Sequence, residues 1–141
     1  MGKGYRLQEY KTPDGNHFWE LLSDNAAASE FTKMMKSPKK REAAINLVRQ
    51  IDKIIRYGIQ DSCMTNKMRL LDTKIGLYEL KGYSGVDREM VYVLVRAPLE
   101  IVLLFSFKGH QGSGNIHSEI HRARPLAKIA AELLHELHDH L

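Results

Sequence analysis

Lys81, Arg88 and Lys108 stand at the ends of three apolar runs, Tyr92 within the second, His110 and His117 in the loop after the last, and Lys74 just before the first. These residue types suit cleavage of RNA by attack of its own 2′-hydroxyl. That reaction needs a base to take the 2′ proton, an acid to protonate the leaving 5′ oxygen, and cations to hold charge on the phosphorane. Histidine serves the first two tasks near neutral pH. Lysine and arginine serve the third, and a tyrosine can stack a base or assist with protons. Arg88, Lys108, His110 and His117 form the candidate catalytic set, with Lys74, Lys81 and Tyr92 as candidate RNA contacts. Gly109, Gly112 and Gly114 leave the backbone beyond Lys108 free to approach a sugar-phosphate. Each residue also has a plainer use. Arg88 can pair with an acid, Tyr92 can join the core beside Met90 and Leu94, and His117 can coat a solvated helix.

Other chemistry is poorly represented. The chain has no P-loop, no dinucleotide fingerprint, no HExxH and no GxSxG. His117 and His121 have the i, i+4 spacing that puts two ligands on one helix face, but Glu119 is misplaced for the zincin motif and no third ligand is obvious. The closing HELHDH reads as a solvated helix end. Neither a metal nor a cofactor is expected. Cys63 is the only cysteine, so an internal disulfide is excluded.

The elements that must position these residues follow from periodicity. KTPDG (11–15) is turn chemistry, and HFWELLS after it reads as a first strand. Asp24 is a candidate N-cap for a short helix burying Ala27, Phe31, Met34 and Met35. A second helix is predicted from Ser37 as N-cap and Pro38 at the first position to a stop at Gly58. Its apolar face is Ala44, Leu47, Val48, Ile51, Ile54 and Ile55. Residues 59–69 read as a loop. GLYELKG (76–82), REMVYVLVR (88–96) and EIVLLFSF (100–107) then read as three strands, and their short connections imply an antiparallel meander. Alternation in the middle strand puts Val91, Val93 and Val95 on one face and Arg88, Met90, Tyr92 and Leu94 on the other. A closing amphipathic helix carries Leu126, Ile129, Ala130, Leu133, Leu134 and Leu137 and is expected to restart at Pro125. The predicted class is α+β: a small, mainly antiparallel sheet with a helical hairpin packed on one face, in the order β-α-α-β-β-β-α.

The totals agree with a single globular domain over residues 1–141. A 43% hydrophobic and 27% charged composition argues against disorder. The longest apolar stretch is broken by Arg96, Pro98 and Glu100, so no membrane span is expected. MGKGYRLQEYK lacks an apolar signal-peptide core, and a cytoplasmic location is expected. A net charge of +4 permits an anionic partner without requiring one.

LLDTKIGLYELKGY, then REMVYVLV, then IVLLFSFKGHQGSGNIHSEIHRA, resembles the RelE/HigB branch of the RelE/ParE toxin superfamily, phage-associated members in particular. The likeness covers about residues 16–124, leaving an N-terminal extension (1–14) and a His-rich helical tail (125–141). It implies a toxin of a toxin–antitoxin module that cuts mRNA on the ribosome without metal and is neutralised by a cognate antitoxin. By position, Lys81 matches the basic residue ending the GLYELR motif, and Arg88 matches the strand arginine that contacts phosphate. His110 falls where the family has a basic or histidine residue, and His117 where some members have a catalytic tyrosine. The chain departs from the pattern in having Lys108-Gly109-His110 in place of paired lysines, Glu79 at a position basic in some active members, and Pro125 inside the last helix. A ParE-like gyrase inhibitor without nuclease activity and a non-toxic co-repressor relative are the alternatives.

Overall fold

A computed structural model describes residues 4–64, 68–81, 87–95, 99–108 and 116–139. In chain order these form β1 (Tyr5–Lys11), β2 (His17–Ser23), α1 (Glu30–Lys36), α2 (Arg41–Tyr57), α3 (Ile59–Met64) and β3 (Met68–Asp72). A 3-10 turn (Thr73–Ile75) leads into β4 (Leu77–Lys81), β5 (Asp87–Leu94), β6 (Glu100–Lys108) and α4 (His117–Asp139). The strands make one sheet in the order β1-β2-β6-β5-β4-β3. Every neighbouring pair is antiparallel except β2 and β6, which run parallel through Trp19↔Val102 and Glu20↔Leu103.

The α+β class and the mainly antiparallel sheet agree with the sequence, but the order of elements does not. The expected β-α-α-β-β-β-α is preceded by β1, and α3 and β3 occupy most of the stretch expected to be loop. Both strands were camouflaged by being sheet edges, where one face is solvated and the apolar signal is thin. In β3 only Met68 is buried. β1 alternates half-buried Tyr5 and Leu7 with exposed Arg6 and Gln8, and the 12–16 turn folds it back on β2.

Period-two alternation sorts the sheet into two buried faces. On one, Phe18, Tyr78, Leu80, Val91, Val93, Ile101 and Leu103 join Phe31 and Met34 of α1 and Ala44, Leu47, Ile51 and Ile54 of α2 in one apolar cluster. On the other, Leu77, Met90, Tyr92, Val102, Leu104 and Phe105 join Ala123, Ala127, Ala130 and Leu134 of α4. The expected split in β5 holds through Leu94, while Val95 lies past the strand and is exposed.

Several helix boundaries differ from expectation for local reasons. Ser29, not Asp24, caps α1, its Oγ accepting from the Thr32 N–H at 3.0 Å. Ser37 closes α1 instead of opening α2: its N–H donates to Met34 and its carbonyl accepts from Lys40 and Arg41. α2 therefore begins at Arg41. Gly58 does stop α2, with φ 93°, a left-handed value that glycine adopts without strain. α4 runs unbroken through Pro125, against the expected restart. Proline removes one i→i−4 hydrogen bond, and burial of Ala123 and Ala127 on either side holds the helix across it.

Two buried carboxylates tie the elements together. Asp52 of α2 accepts from Thr12 Oγ1 at 2.7 Å and from Asn16 Nδ2 at 2.8 Å, fixing the β1–β2 turn to the helix. Glu100 at the start of β6 accepts from Trp19 Nε1 at 3.0 Å and lies 3.1 Å from His17 Nε2 and 3.5 Å from His138 Nε2. His17 Nδ1 sits 2.6 Å from Glu9, so both of its ring nitrogens face carboxylates, an arrangement only the imidazolium satisfies with two donors. Partial burial works against that charge, yet the bonds to Glu9 and Glu100 leave the His17 pKa above its ordinary value.

Candidate functional site

Three adjacent strands deliver cations to one end of the sheet. Lys81 is the last residue of β4, Arg88 is the second of β5, and Lys108 is the last of β6. The register sets Lys81 opposite Arg88, Arg88 opposite Phe107, and Asp87 opposite Lys108. Directly paired residues of antiparallel strands project to the same face. Lys81, Arg88 and Phe107 therefore belong to the α4 face, with Met90 and Tyr92. Lys108 belongs to the opposite face, with Ser106, whose Oγ contacts Met34 of α1.

The two faces treat their cations differently. The Arg88 side chain is only 14% exposed and its Nε lies 3.9 Å from Glu79 Oε1, so a nearly buried carboxylate holds the guanidinium in place. An Arg88 Nη1–H also donates to the Asp87 carbonyl at 3.1 Å. Lys108 is exposed and borders a cavity of about 440 Å³ with Glu30, Lys33, Ser37, Lys40 and Asp87. Lys40 on the same cavity bridges to Asp87 at 3.3 Å. His117 opens α4 and is exposed. Five residues on, the Arg122 guanidinium lies 3.9 Å over the Phe105 ring, which sets this end of α4 above the end of β6. His110 and its glycine loop lie outside the described residues.

Lys74 and Tyr92 line one cavity some distance from this end. Tyr92 is four residues along β5 from Arg88, about 13 Å at strand rise. Its ring is buried in the α4 cluster, and burial raises its phenol pKa. Gly76 lets the ring pack close: a Cβ there would stand 2.6 Å from the Val93 carbonyl and 3.2 Å from the ring, and its φ is 70°. Exposed Lys74 shares with Tyr92 a cavity of about 650 Å³, whose wall includes Arg124 and Lys128 of α4. The sequence reading missed these two cations, although their i, i+4 spacing puts them on one helix face.

It also missed Glu89. This side chain faces away from Arg88, is 1% exposed, and accepts from Ser106 Oγ at 2.6 Å. Burial, opposed by that hydrogen bond and reinforced by the nearby Glu30 and Glu20 charges, pushes its pKa up to about 8, so it is protonated at neutral pH. It borders a third cavity, of about 610 Å³, opened where β2 and β6 part after Leu103. An acid in phase with Val91 and Val93 was the available signal.

Among the described residues no group of three or more His, Cys, Asp or Glu side chains could hold a metal ion, and no helix is long and apolar enough to cross a membrane. Comparisons of this chain with protein-family models, curated proteins and solved structures found no match.

Proposed function

We propose that this chain is a RelE/HigB-like toxin: a ribosome-dependent endoribonuclease that cuts mRNA without a metal and is held in check by an antitoxin in the cytoplasm. The observation that supports this is the convergence of Lys81, Arg88 and Lys108 on one sheet end from three adjacent strands. A phosphate drawn to that end meets a guanidinium already oriented by Glu79, so little side-chain ordering remains to oppose binding. Lys108 adds charge from the strand end. His117 and His110 serve as acid and base, and no step of 2′-hydroxyl attack needs a cofactor.

One observation favours a second reading. Arg88 is ion-paired with Glu79, and Lys108 projects from the other face of the sheet. A site of that kind suits binding without cleavage, as in a gyrase inhibitor or a co-repressor. Induced expression separates the readings. The nuclease reading predicts growth arrest in which amino-acid incorporation stops before thymidine incorporation, and at least a tenfold loss of that toxicity in Lys108→Ala. The exposure of Lys108 makes this variant fold-neutral. Arrest of DNA synthesis first points to gyrase, and normal growth with soluble protein points to the co-repressor.

A further inference from the structure

The cations at the sheet end continue along the α4 side of β3 and β4. Arg69 is paired with Glu79 and Asp72 with Leu77, so both belong to the face that Leu77 shares with α4. Arg69 is exposed at the sheet edge. Arg124 reaches across to Asp72 at 3.7 Å and sets α4 against the end of β3. Beyond that pair, Lys74 and Lys128 line the cavity of about 650 Å³ over Tyr92 and Gly76. The floor of this cavity is the 3-10 turn with Tyr92 and Val93 of β5, Asp72 and Tyr78 stand at its edge, and Arg124, Ala127 and Lys128 of α4 form one wall. Lys74, Arg124 and Lys128 line it, and Arg69, Lys81 and Arg88 stand on the same face of the sheet toward the cationic end. The two carboxylates among them, Glu79 and Asp72, are each already engaged by an arginine.

The length and shape of this track select a ligand class. Lys81 to Leu77 spans about 13 Å of strand, and Arg124 to Lys128 adds about 6 Å of helix. A line of cations about 20 Å long fits several successive phosphates of one strand. A recessed channel between a helix and a sheet edge admits a single strand more readily than a duplex, whose two backbones call for a broad or protruding surface.

We propose that the groove between α4 and the β3–β4 edge is the track on which single-stranded RNA runs away from the cationic sheet end, with Arg69, Arg124, Lys128 and Lys74 holding its phosphates. The inference rests on the RNA reading of that end and adds the path and strandedness of the ligand. Fluorescence anisotropy with a labelled single-stranded RNA oligonucleotide, without ribosomes and over a range of salt concentrations, tests it. Releasing a phosphate contact on a single strand lowers the log–log salt slope by about 0.7. The double variant Lys74→Gln/Lys128→Gln should therefore lower it by about 1.4 and bind several-fold more weakly. The control Lys36→Gln/Lys53→Gln, exposed on α1 and α2, should match the wild type. Equal slopes for both doubles and the wild type overturn the track. So does equal binding of polyglutamate with the same lysine dependence, which marks the groove as a dock for an acidic protein. RNA binding that depends on Lys74 and Lys128 without any cutting keeps the track and removes the nuclease. Cutting on ribosomes that is indifferent to both lysines keeps the nuclease and removes the track.

Discussion

Arg88 and Glu89 are neighbours in sequence, face opposite sides of β5, and meet opposite electrostatics. Arg88 finds Glu79 as an ion-pair partner; Glu89 is buried against Ser106 near two other acids and stays protonated. The legibility of the two differed for the same reason. A cation at a strand start is conspicuous among apolar residues, whereas an acid in phase with valines reads as noise until its surroundings are known. Glu89 carries a consequence for stability. Its folded pKa of about 8 lies above its ordinary 4.5, so the folded state holds a proton that the unfolded state releases. Stability is full below the ordinary value and falls as pH rises through the folded one, at up to about 1.4 kcal/mol per pH unit. Glu89→Gln keeps the shape and removes the titration. Urea unfolding from acid to mildly alkaline pH should show the variant gaining on the wild type toward the alkaline end. Parallel pH profiles would mean that Glu89 is ionised in the fold. Arg88→Ala is a poor probe of function for a related reason, since it strands the nearly buried Glu79.

Among the elements, α2 and the three strands after it were legible because each buries a full apolar face. β1 and β3 were not, because an edge strand needs only half of one. Pro125 on its own suggests a break, while the alanines packed beneath the helix hold it across one missing hydrogen bond. The β1–β2 turn is the joint that sequence could least reveal: KTPDGN announces a turn, but not that Asp52 in α2 receives it. Removing that carboxylate leaves the Thr12 hydroxyl, itself buried, without its acceptor. Asp52→Ala should lower unfolding free energy by about 2 kcal/mol, read as an earlier urea midpoint at unchanged slope. An unchanged midpoint would show that the turn holds by backbone bonding alone.

For the whole molecule, the two-faced sheet decides what the scattered candidates can do together. It separates Lys108 from Arg88 by face while gathering both at one end, and it sends Lys74 and Tyr92 to a different place on the α4 side. Alternation within β5 already implied which side Arg88 takes. The pairing of β3 with β4 and the approach of Arg124 to Asp72 depend on long-range contacts that a one-dimensional pattern does not carry. The net charge of +4 is accordingly less telling than its placement along one end and one groove. The account stands on that end being a phosphate site where RNA is cut. Its most direct test is primer extension on a defined mRNA translated by purified ribosomes, with wild type, Lys108→Ala and His117→Ala compared. The account predicts ribosome-dependent breaks for the wild type and at least a hundredfold slower cutting by His117→Ala, in keeping with loss of one acid–base group. Intact mRNA with undiminished translation in the presence of folded wild-type protein would contradict it.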